Sequence, residues 1–146
     1  MAYVLSVSAA RSRWAEVFSR AVSERHPVAI ERASGERALL IGVEELGHLL
    51  AGHDFRPEVF FEDDAVSIWL SELALYGRGS SFEDAREDLI VEVREYVDEY
   101  LRDATLYLRA PGRAEQFPYV IKALVADAAG RLAEVLLAVP DPVAAT

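Results

Sequence analysis

The 146-residue chain has no cysteine, and its glycine, proline and histidine counts are low, at 8, 6 and 3. The absence of cysteine excludes disulfide frameworks, thiolate zinc sites and cysteine nucleophiles, and leaves the histidines as the strongest nitrogen ligands for a metal. Few glycines and prolines, with 52% hydrophobic residues, argue against a disordered chain. We therefore expect a folded protein without a metal or other cofactor, and not an enzyme.

Long hydrophobic runs are also missing. No stretch approaches the roughly 18 consecutive apolar residues of a transmembrane helix. The first residues lack the charged segment and apolar run of a signal peptide. These absences predict a cytoplasmic protein that does not enter a membrane.

Basic residues are scarce overall, with 15 Lys and Arg against 25 Asp and Glu and a net charge of −10. Residues 1–53 contain six arginines and six glutamates, so the whole net charge lies in the rest of the chain. Such asymmetry predicts two surfaces with different partners. We predict an α+β protein with two domains, at residues 1–53 and 58–146, joined by a linker-like stretch.

Residues 3–52 predict a strand, a helix, a hairpin and a second helix. Tyr3–Val7 is a short β-prone run, and Ser8 stands where a helix N-cap is expected. The helix is predicted to end near Arg25–His26, because Pro27 disfavours helical geometry in the residue before it. Its apolar side chains recur at helical offsets: Trp14, Val17, Phe18, Ala21 and Val22.

A hairpin is predicted directly after the first helix. Two β-prone runs, Val28–Arg32 and Ala38–Gly42, flank a Ser34–Gly35 turn, where glycine takes a positive φ at little cost. A short helix with its leucines on one side follows, and Gly52 is its expected stop.

The second part of the chain predicts another hairpin and a long helix. Val59–Glu62 and Val66–Leu70 have the composition of strands. The stretch GRGSS is predicted to be a turn, and Ser80 with Glu83 fits a capping box that opens the helix. The apolar positions of this helix form one stripe: Phe82, Ala85, Leu89, Val93, Tyr96, Val97 and Tyr100.

Pro111–Gly112 is predicted to stop the long helix. Residues 114–139 are apolar enough to form a strand or a helix. Their length and alanine content favour a helix, either continuous or broken near Gly130.

Residues 5–50 resemble the N-terminal module of the prevent-host-death/YefM (Phd-like) antitoxins. The likeness rests on a strand, the helix opening Ser6–Arg11, the anchor Trp14, the run Pro27–Ile30 and a charged turn with glycine before a final short helix. The resemblance implies a β-α-β-β-α module that forms homodimers, binds operator DNA and represses its own operon. Whether such dimers associate further on DNA is left open by the resemblance.

The DNA-binding residues that this resemblance implies are Ser8, Arg11, Arg13, Arg32 and Arg37. Arg11 and Arg13 are predicted in the first turns of a helix, where free amides and the positive dipole end favour phosphate. Arg32 and Arg37 flank the hairpin turn. Glu36 departs from the family pattern, which commonly has a basic residue there, and Arg13 replaces a common small polar residue. The alternative is that Arg11 and Arg13 are ordinary solvated helix residues.

Residues 66–101 are similar to the HicB-like antitoxin pattern, in which a strand leads through a glycine turn into a long helix. The motif Phe82–Ala85 together with Leu89 carries this likeness. In HicB-like proteins the fold serves toxin neutralisation and resembles a degenerate nuclease. Together the two parts resemble a large Phd-type antitoxin with an added α/β C-terminal domain that binds a basic toxin, of RNase type.

The long helix supplies a separate indication of a basic partner. Its acids recur three and four residues apart: Asp84, Glu87, Asp88, Glu92, Glu95, Asp98 and Glu99. Like charges at this spacing cost about 0.2–0.5 kcal/mol per pair, so a basic protein would relieve them. Trp69, predicted on the polar face of its strand, is a candidate anchor for the same partner. A merely solvated acidic face, with Trp69 covered as core, is the alternative.

Two other functions stay open at this point. The chain could be a dimeric assembly module without DNA binding, which Glu36 and the neutral charge of residues 1–53 allow. It could also be a metal-dependent nuclease that uses the acids Glu62, Asp63, Asp64 and Glu72. The second is less favoured, because adjacent acids on a turn are usually solvated and no partner residue completes a mechanism.

Overall fold

A computed structural model of the protein describes residues 4–137. The chain divides into two compact units, Met1–Ala51 and Gly52–Thr146. Each unit has a three-stranded sheet of its own and its own hydrophobic core. None of the helices in residues 4–137 is long and apolar enough to span a membrane.

The described part of the first unit, residues 4–51, contains three strands and three helices. In chain order they are β1 (Val4–Ser6), α1 (Val7–Ser12), α2 (Trp14–Val22), β2 (Val28–Glu31), β3 (Arg37–Leu40) and α3 (Val43–Leu49). The sheet order is β1-β2-β3, with β1 parallel to β2 and β2 antiparallel to β3. The predicted hairpin is confirmed, and Gly35 takes the expected positive φ of 92° in its turn. Tyr3, predicted in the first strand, lies outside the described residues.

The N-cap of the first helix is Ser6, so the prediction of Ser8 was wrong. The Ser6 side chain accepts a hydrogen bond from the Ala9 amide at 3.1 Å, and its extended backbone is that of a cap residue. The strand ends at Ser6, one residue before its predicted end at Val7. The N-cap is therefore Ser6 and not Ser8. Ser8 lies inside the first turn of α1 and is exposed.

The predicted single helix is two helices. Arg13 has φ −125° and ψ 37°, which separates α1 from α2. The second helix ends at Val22, before the predicted Arg25–His26, and Arg25 itself adopts a positive φ of 54°. Pro27 therefore lies several residues beyond the end of the helix and does not terminate it directly.

The core of the first unit is small. Its buried side chains come from β1, α1, α2 and β2: Leu5, Ala10, Val17, Ala21 and Val28. Trp14, Phe18 and Val22 lie along α2 but outside this core, and each exposes nearly half of its surface. The predicted apolar face of the helix is therefore split between core and surface.

The second unit begins with a three-stranded sheet and continues as helices. Its elements are β4 (Glu58–Phe61), β5 (Val66–Leu70), β6 (Leu75–Gly79), α4 (Phe82–Arg102), α5 (Ala104–Arg109), a 3₁₀ turn (Ala114–Gln116), α6 (Phe117–Ala128) and α7 (Leu132–Leu136). The strands run antiparallel in the order β4-β5-β6. The helical prediction for the last segment is confirmed, with a break at Gly130, where φ is +71°; residues 138–139 of that prediction lie outside the described residues.

The strand β6 was not predicted, because its two glycines had indicated a turn. Gly77 and Gly79 face α4, and a Cβ on Gly77 would lie 2.4 Å from the carbonyl oxygen of Ala85. A Cβ on Gly79 would lie 2.6 Å from the amide nitrogen of Ala85. The glycines thus allow the backbones of strand and helix to approach closely.

The long helix α4 buries most of its predicted stripe. Six of the seven predicted side chains are buried, and only Phe82 is exposed. The cap is Ser81, whose side chain accepts from the Asp84 amide at 3.1 Å, so the predicted Ser80–Glu83 box was wrong. The helix ends at Arg102, well before Pro111–Gly112, because the chain turns at Asp103 and starts α5.

Three tyrosines close the end of α4 against the following loop. The Tyr100 hydroxyl donates to the carbonyl of Arg113 at 2.8 Å, and the Tyr107 hydroxyl donates to Glu99 at 3.0 Å. The Arg113 guanidinium lies 5.5 Å from the centre of the Tyr96 ring. Burial raises the pKa of Tyr100, and the hydrogen bond to Glu99 raises the pKa of Tyr107. These contacts indicate a structural cluster that fixes the loop.

Candidate functional site

Arg11 and Arg13 are exposed at the junction of α1 and α2. Within residues 4–137 neither of them forms an ion pair, whereas Arg20 pairs with Glu24 and Arg25 with Glu44 and Glu45. The expected support from a helix N-terminus was wrong for Arg11, because α1 is only six residues long and Arg11 lies in its last turn. An anion at Arg11 would be held by the guanidinium group itself, whereas Arg13 is the N-cap residue of the nine-residue helix α2 and lies beside its first free amides.

The other two predicted DNA-binding arginines are engaged by glutamates. Arg37 and Glu31 face each other across the hairpin, with 3.6 Å between the charged groups. Arg32 pairs with Glu36, which also accepts a hydrogen bond from Ser34 at 2.7 Å. The hydrogen bonds from Ser34 and Arg32 lower the pKa of Glu36, so Glu36 keeps its negative charge to a lower pH than a free glutamate. This pairing partly neutralises the hairpin as an anion-binding surface.

The predicted DNA-binding residues do not form one cluster. Ser8 and Arg32 line the same open concavity at the ends of β1 and β2, together with Glu31 and Glu36. Arg11 lines a different, apolar depression beside Trp14. The module therefore presents a basic edge at α1 and a charge-balanced hairpin.

Trp69 is half-buried and packs against Tyr76, the residue opposite it on β6. The two ring centroids are 4.4 Å apart. The polar face predicted for this strand also includes Ser67, and its exposure to solvent was wrong there because Ser67 is buried. The face of the sheet away from α4 carries three partly exposed aromatic side chains, Phe60, Trp69 and Tyr76.

The acids of α4 differ in availability. Asp84 accepts from the Ser80 hydroxyl, and Asp88 accepts from the Arg78 amide, both at 2.8 Å. Asp98 pairs with Arg102, and Glu99 accepts from Tyr107. The acids for which no such bond exists among residues 4–137 are Glu87, Glu92 and Glu95. The helix thus keeps a negative face, but four of its seven predicted acids are already engaged by other side chains or backbone amides of the second unit.

The acids at the β4–β5 turn do not converge on Glu72. Among residues 4–137, no three carboxylate or imidazole side chains are grouped as a metal site would require. Glu72 accepts instead from the Arg56 amide at 3.1 Å and from the Ser71 hydroxyl at 3.0 Å. The arrangement offers no geometric support for the nuclease alternative.

One exposed surface was missed from the sequence. All four side chains of β4 are exposed, and Phe61 exposes 74% of its surface. The signal was present in the run Val59–Phe60–Phe61, since three consecutive apolar residues place apolar groups on both faces of a strand.

Comparison with known proteins shows which family the chain belongs to. A family model matches residues 1–138, and it describes a PHD-like antitoxin of a toxin–antitoxin system, RelE/RelB. The chain belongs to this antitoxin family. The antitoxin also resembles a crystal structure from Syntrophomonas wolfei subsp. wolfei, described as the antitoxin part of a proposed toxin/antitoxin system.

The likeness to that structure concerns the fold. The TM-score is 0.72 at 20% sequence identity, over 90% of this antitoxin and 94% of the other chain. No functionally curated protein matches the antitoxin. The mixed α+β architecture is therefore shared with another antitoxin over nearly the whole length of both chains.

Proposed function

We propose that this antitoxin binds operator DNA as a homodimer through its first unit and represses its own operon. In the same proposal, the acidic second unit neutralises a basic toxin of RNase type. The antitoxin itself has no catalytic role here. The observation that carries the DNA-binding part is the state of Arg11 and Arg13, which are exposed and free of carboxylate partners within residues 4–137.

Unpaired arginines suit DNA because phosphate contacts supply most of the affinity of such proteins. Each guanidinium can donate two parallel hydrogen bonds to one phosphate. Arg32 and Arg37 are paired with Glu36 and Glu31. They contribute to DNA binding only where a phosphate displaces the glutamate. Ser8, exposed on α1, is placed to donate a hydrogen bond beside them.

Dimer formation through the first unit is supported by its exposed apolar surface. Trp14 and Phe18 lie on one side of α2 with ring centroids 6.2 Å apart, and Val22 continues the row. Leu39 exposes more than half of its surface on β3. A unit with so small a core gains stability when a second copy covers such side chains, and a two-fold dimer doubles the number of DNA-facing arginines.

Toxin binding by the second unit is supported by charge. All of the net charge of −10 lies beyond residue 53, and the exposed acids of α4 keep one helix face negative. An RNase that binds RNA phosphates carries basic groups, which such a surface attracts. We place the seven α4 acids in this contact, with Glu87 and Glu95 exposed and without a bonding partner among residues 4–137. Trp69, on the opposite face of the sheet, is proposed as a separate part of the contact.

The DNA part is tested by titrating the dimer against the DNA upstream of its own gene over a salt series, with unrelated DNA of the same length. We expect preferential binding whose log–log salt dependence is steep, as phosphate contacts require. Equal affinity for both DNAs, or no binding at low salt, would contradict the proposal. It would favour the assembly module, to which the paired hairpin arginines already lend some support.

Replacing Glu36 by Gln is expected to strengthen operator binding severalfold. The substitution removes the charge that holds Arg32, while the amide can still accept from Ser34. Each copy then offers one more guanidinium to phosphate, and the salt slope should steepen by about one per copy. The measurement is the same salt-series titration, with Glu24→Gln as a charge-matched control at the far end of α2. An unchanged slope would show that Arg32 lies away from the DNA.

A further inference from the structure

The two edges of the second sheet differ in how they are protected. At the β6 edge, the Arg78 amide points away from β5 and donates to the Asp88 carboxylate at 2.8 Å. The helix α4 packs against β6 and β5. Among residues 4–137, the β4 strand pairs with β5 on one side and with no strand on the other. Unprotected edge strands are sites where another chain can add by hydrogen bonding.

The register of β4 on β5 shows which backbone groups of β4 are available to hydrogen-bond an added strand. The Glu62 amide donates to the carbonyl of Ala65 at 2.9 Å, which continues the pairing of Phe60 with Ser67 and of Glu58 with Trp69. In an antiparallel ladder, hydrogen-bonded pairs alternate with pairs whose backbone groups point outward. The amides and carbonyls of Val59 and Phe61 therefore point away from β5.

The side chains of β4 are apolar on both faces of the sheet. Phe60 lies on the open face, near Trp69 and Tyr76, and is 45% exposed. Val59 and Phe61 lie on the face that α4 covers elsewhere, and they expose 37% and 74% of their surface. An apolar edge strand of this kind is usually shielded in a folded protein. Its exposure here indicates that another chain covers it.

The charges around β4 indicate what kind of chain could pair with this edge. Residues 58–79 carry five carboxylates and one guanidinium, Arg78, which already pairs with Glu62 at 4.0 Å. Glu58 and Glu62 flank the apolar centre of the strand, and two aspartates follow in the turn. If a second copy paired antiparallel about Phe60, each Glu58 would face Glu62 of the other copy, which is unfavourable. A strand with Lys or Arg at its ends would instead meet opposite charges.

We propose that the outer edge of β4 is the docking site of the toxin, which adds an extended, basic segment to the sheet as a fourth strand. The segment has apolar residues at its centre, which cover Val59, Phe60 and Phe61, and Lys or Arg towards its ends, beside Glu58 and Glu62. This inference rests on the proposed function in that it takes the partner to be a basic toxin. It adds the surface and the mode of recognition, β-strand addition.

The test separates backbone pairing from side-chain contact at a single residue. In Val59→Pro, the outward amide is lost and the ring obstructs an added strand, while the inward ladder to β5 keeps its hydrogen bonds. In Val59→Thr, the outward amide and the strand propensity remain. Each full-length variant is co-expressed with the product of the adjacent gene, co-purified, and then titrated to measure affinity. Tryptophan fluorescence of the free variants monitors folding of the second unit, where Trp69 packs against Tyr76.

Strand addition predicts at least a tenfold loss of affinity for Val59→Pro and a loss of about threefold or less for Val59→Thr. Equal binding by wild type and Val59→Pro would overturn the inference and leave the proposed function intact. Equal losses in both variants would also overturn it, in favour of side-chain docking. If the wild type fails to bind the adjacent gene product, the proposed toxin neutralisation fails and this inference with it. A smaller oligomer for Val59→Pro alone in solution would identify a second copy as the occupant.

Discussion

Replacing both Arg11 and Arg13 by Ala is expected to reduce operator affinity by about 10,000-fold while the dimer stays intact. A dimer loses four guanidinium groups, and each charged hydrogen bond to phosphate contributes on the order of 1.5 kcal/mol, or about tenfold. Loss of four phosphate contacts should also reduce the log–log salt slope by about 3 to 4. Both side chains are exposed, so their removal leaves the core of the first unit unchanged.

A charge-matched control distinguishes local contact from general electrostatics. Arg102→Ala combined with Arg131→Ala removes the same charge from the second unit, where both side chains pair with nearby acids on exposed surface. This control should change the affinity only slightly and leave the salt slope almost unaltered. The measurement is operator titration at several salt concentrations, with sedimentation of the free protein to verify the dimer. Equal slopes for the two double variants would show that Arg11 and Arg13 do not touch phosphate.

Local patterns in the sequence predicted elements well where one face is buried. The stripe of α4 is such a case, because six of its seven predicted side chains pack into one core. The hairpin of the first unit is another, since Gly35 supplies the positive φ that its turn requires. The exact cap was harder to predict. Ser6 and Ser8 have the same chemistry, and only the end of β1 decides between them.

The candidate site was harder to predict because it depends on pairing between distant residues. Gly77 and Gly79 indicated a turn by propensity, yet they are in a strand because a helix crosses them closely. Without β6, neither the contact of Trp69 with Tyr76 nor the open edge of β4 could be deduced. The neutralisation of Arg37 by Glu31 likewise follows from hairpin register, which the charges alone did not reveal.

Replacing Gly77 by Ala is expected to destabilise the second unit by about 3 kcal/mol. The new Cβ would lie 2.4 Å from the Ala85 carbonyl oxygen and 2.5 Å from the Leu89 Cβ. These contacts involve helix backbone and a buried side chain, so α4 must move away from β6, and overpacking of this kind costs about 1–3 kcal/mol or more. The effect is measured by urea unfolding in a Trp14→Phe background, in which Trp69 alone reports on the second unit.

Gly47→Ala in the first unit is the contrasting glycine substitution with the opposite expected sign, and its unfolding is followed by Trp14 in a Trp69→Phe background. Gly47 lies within α3, and an added Cβ there has no atom within 4 Å among the described residues. Alanine should stabilise that helix by about 0.5–1 kcal/mol. An unchanged urea midpoint for Gly77→Ala would contradict the close approach of α4 and β6.

Because Asp88 protects the β6 edge only while α4 stays in contact with it, Gly77→Ala should also expose a second open edge and promote self-association of the sheet.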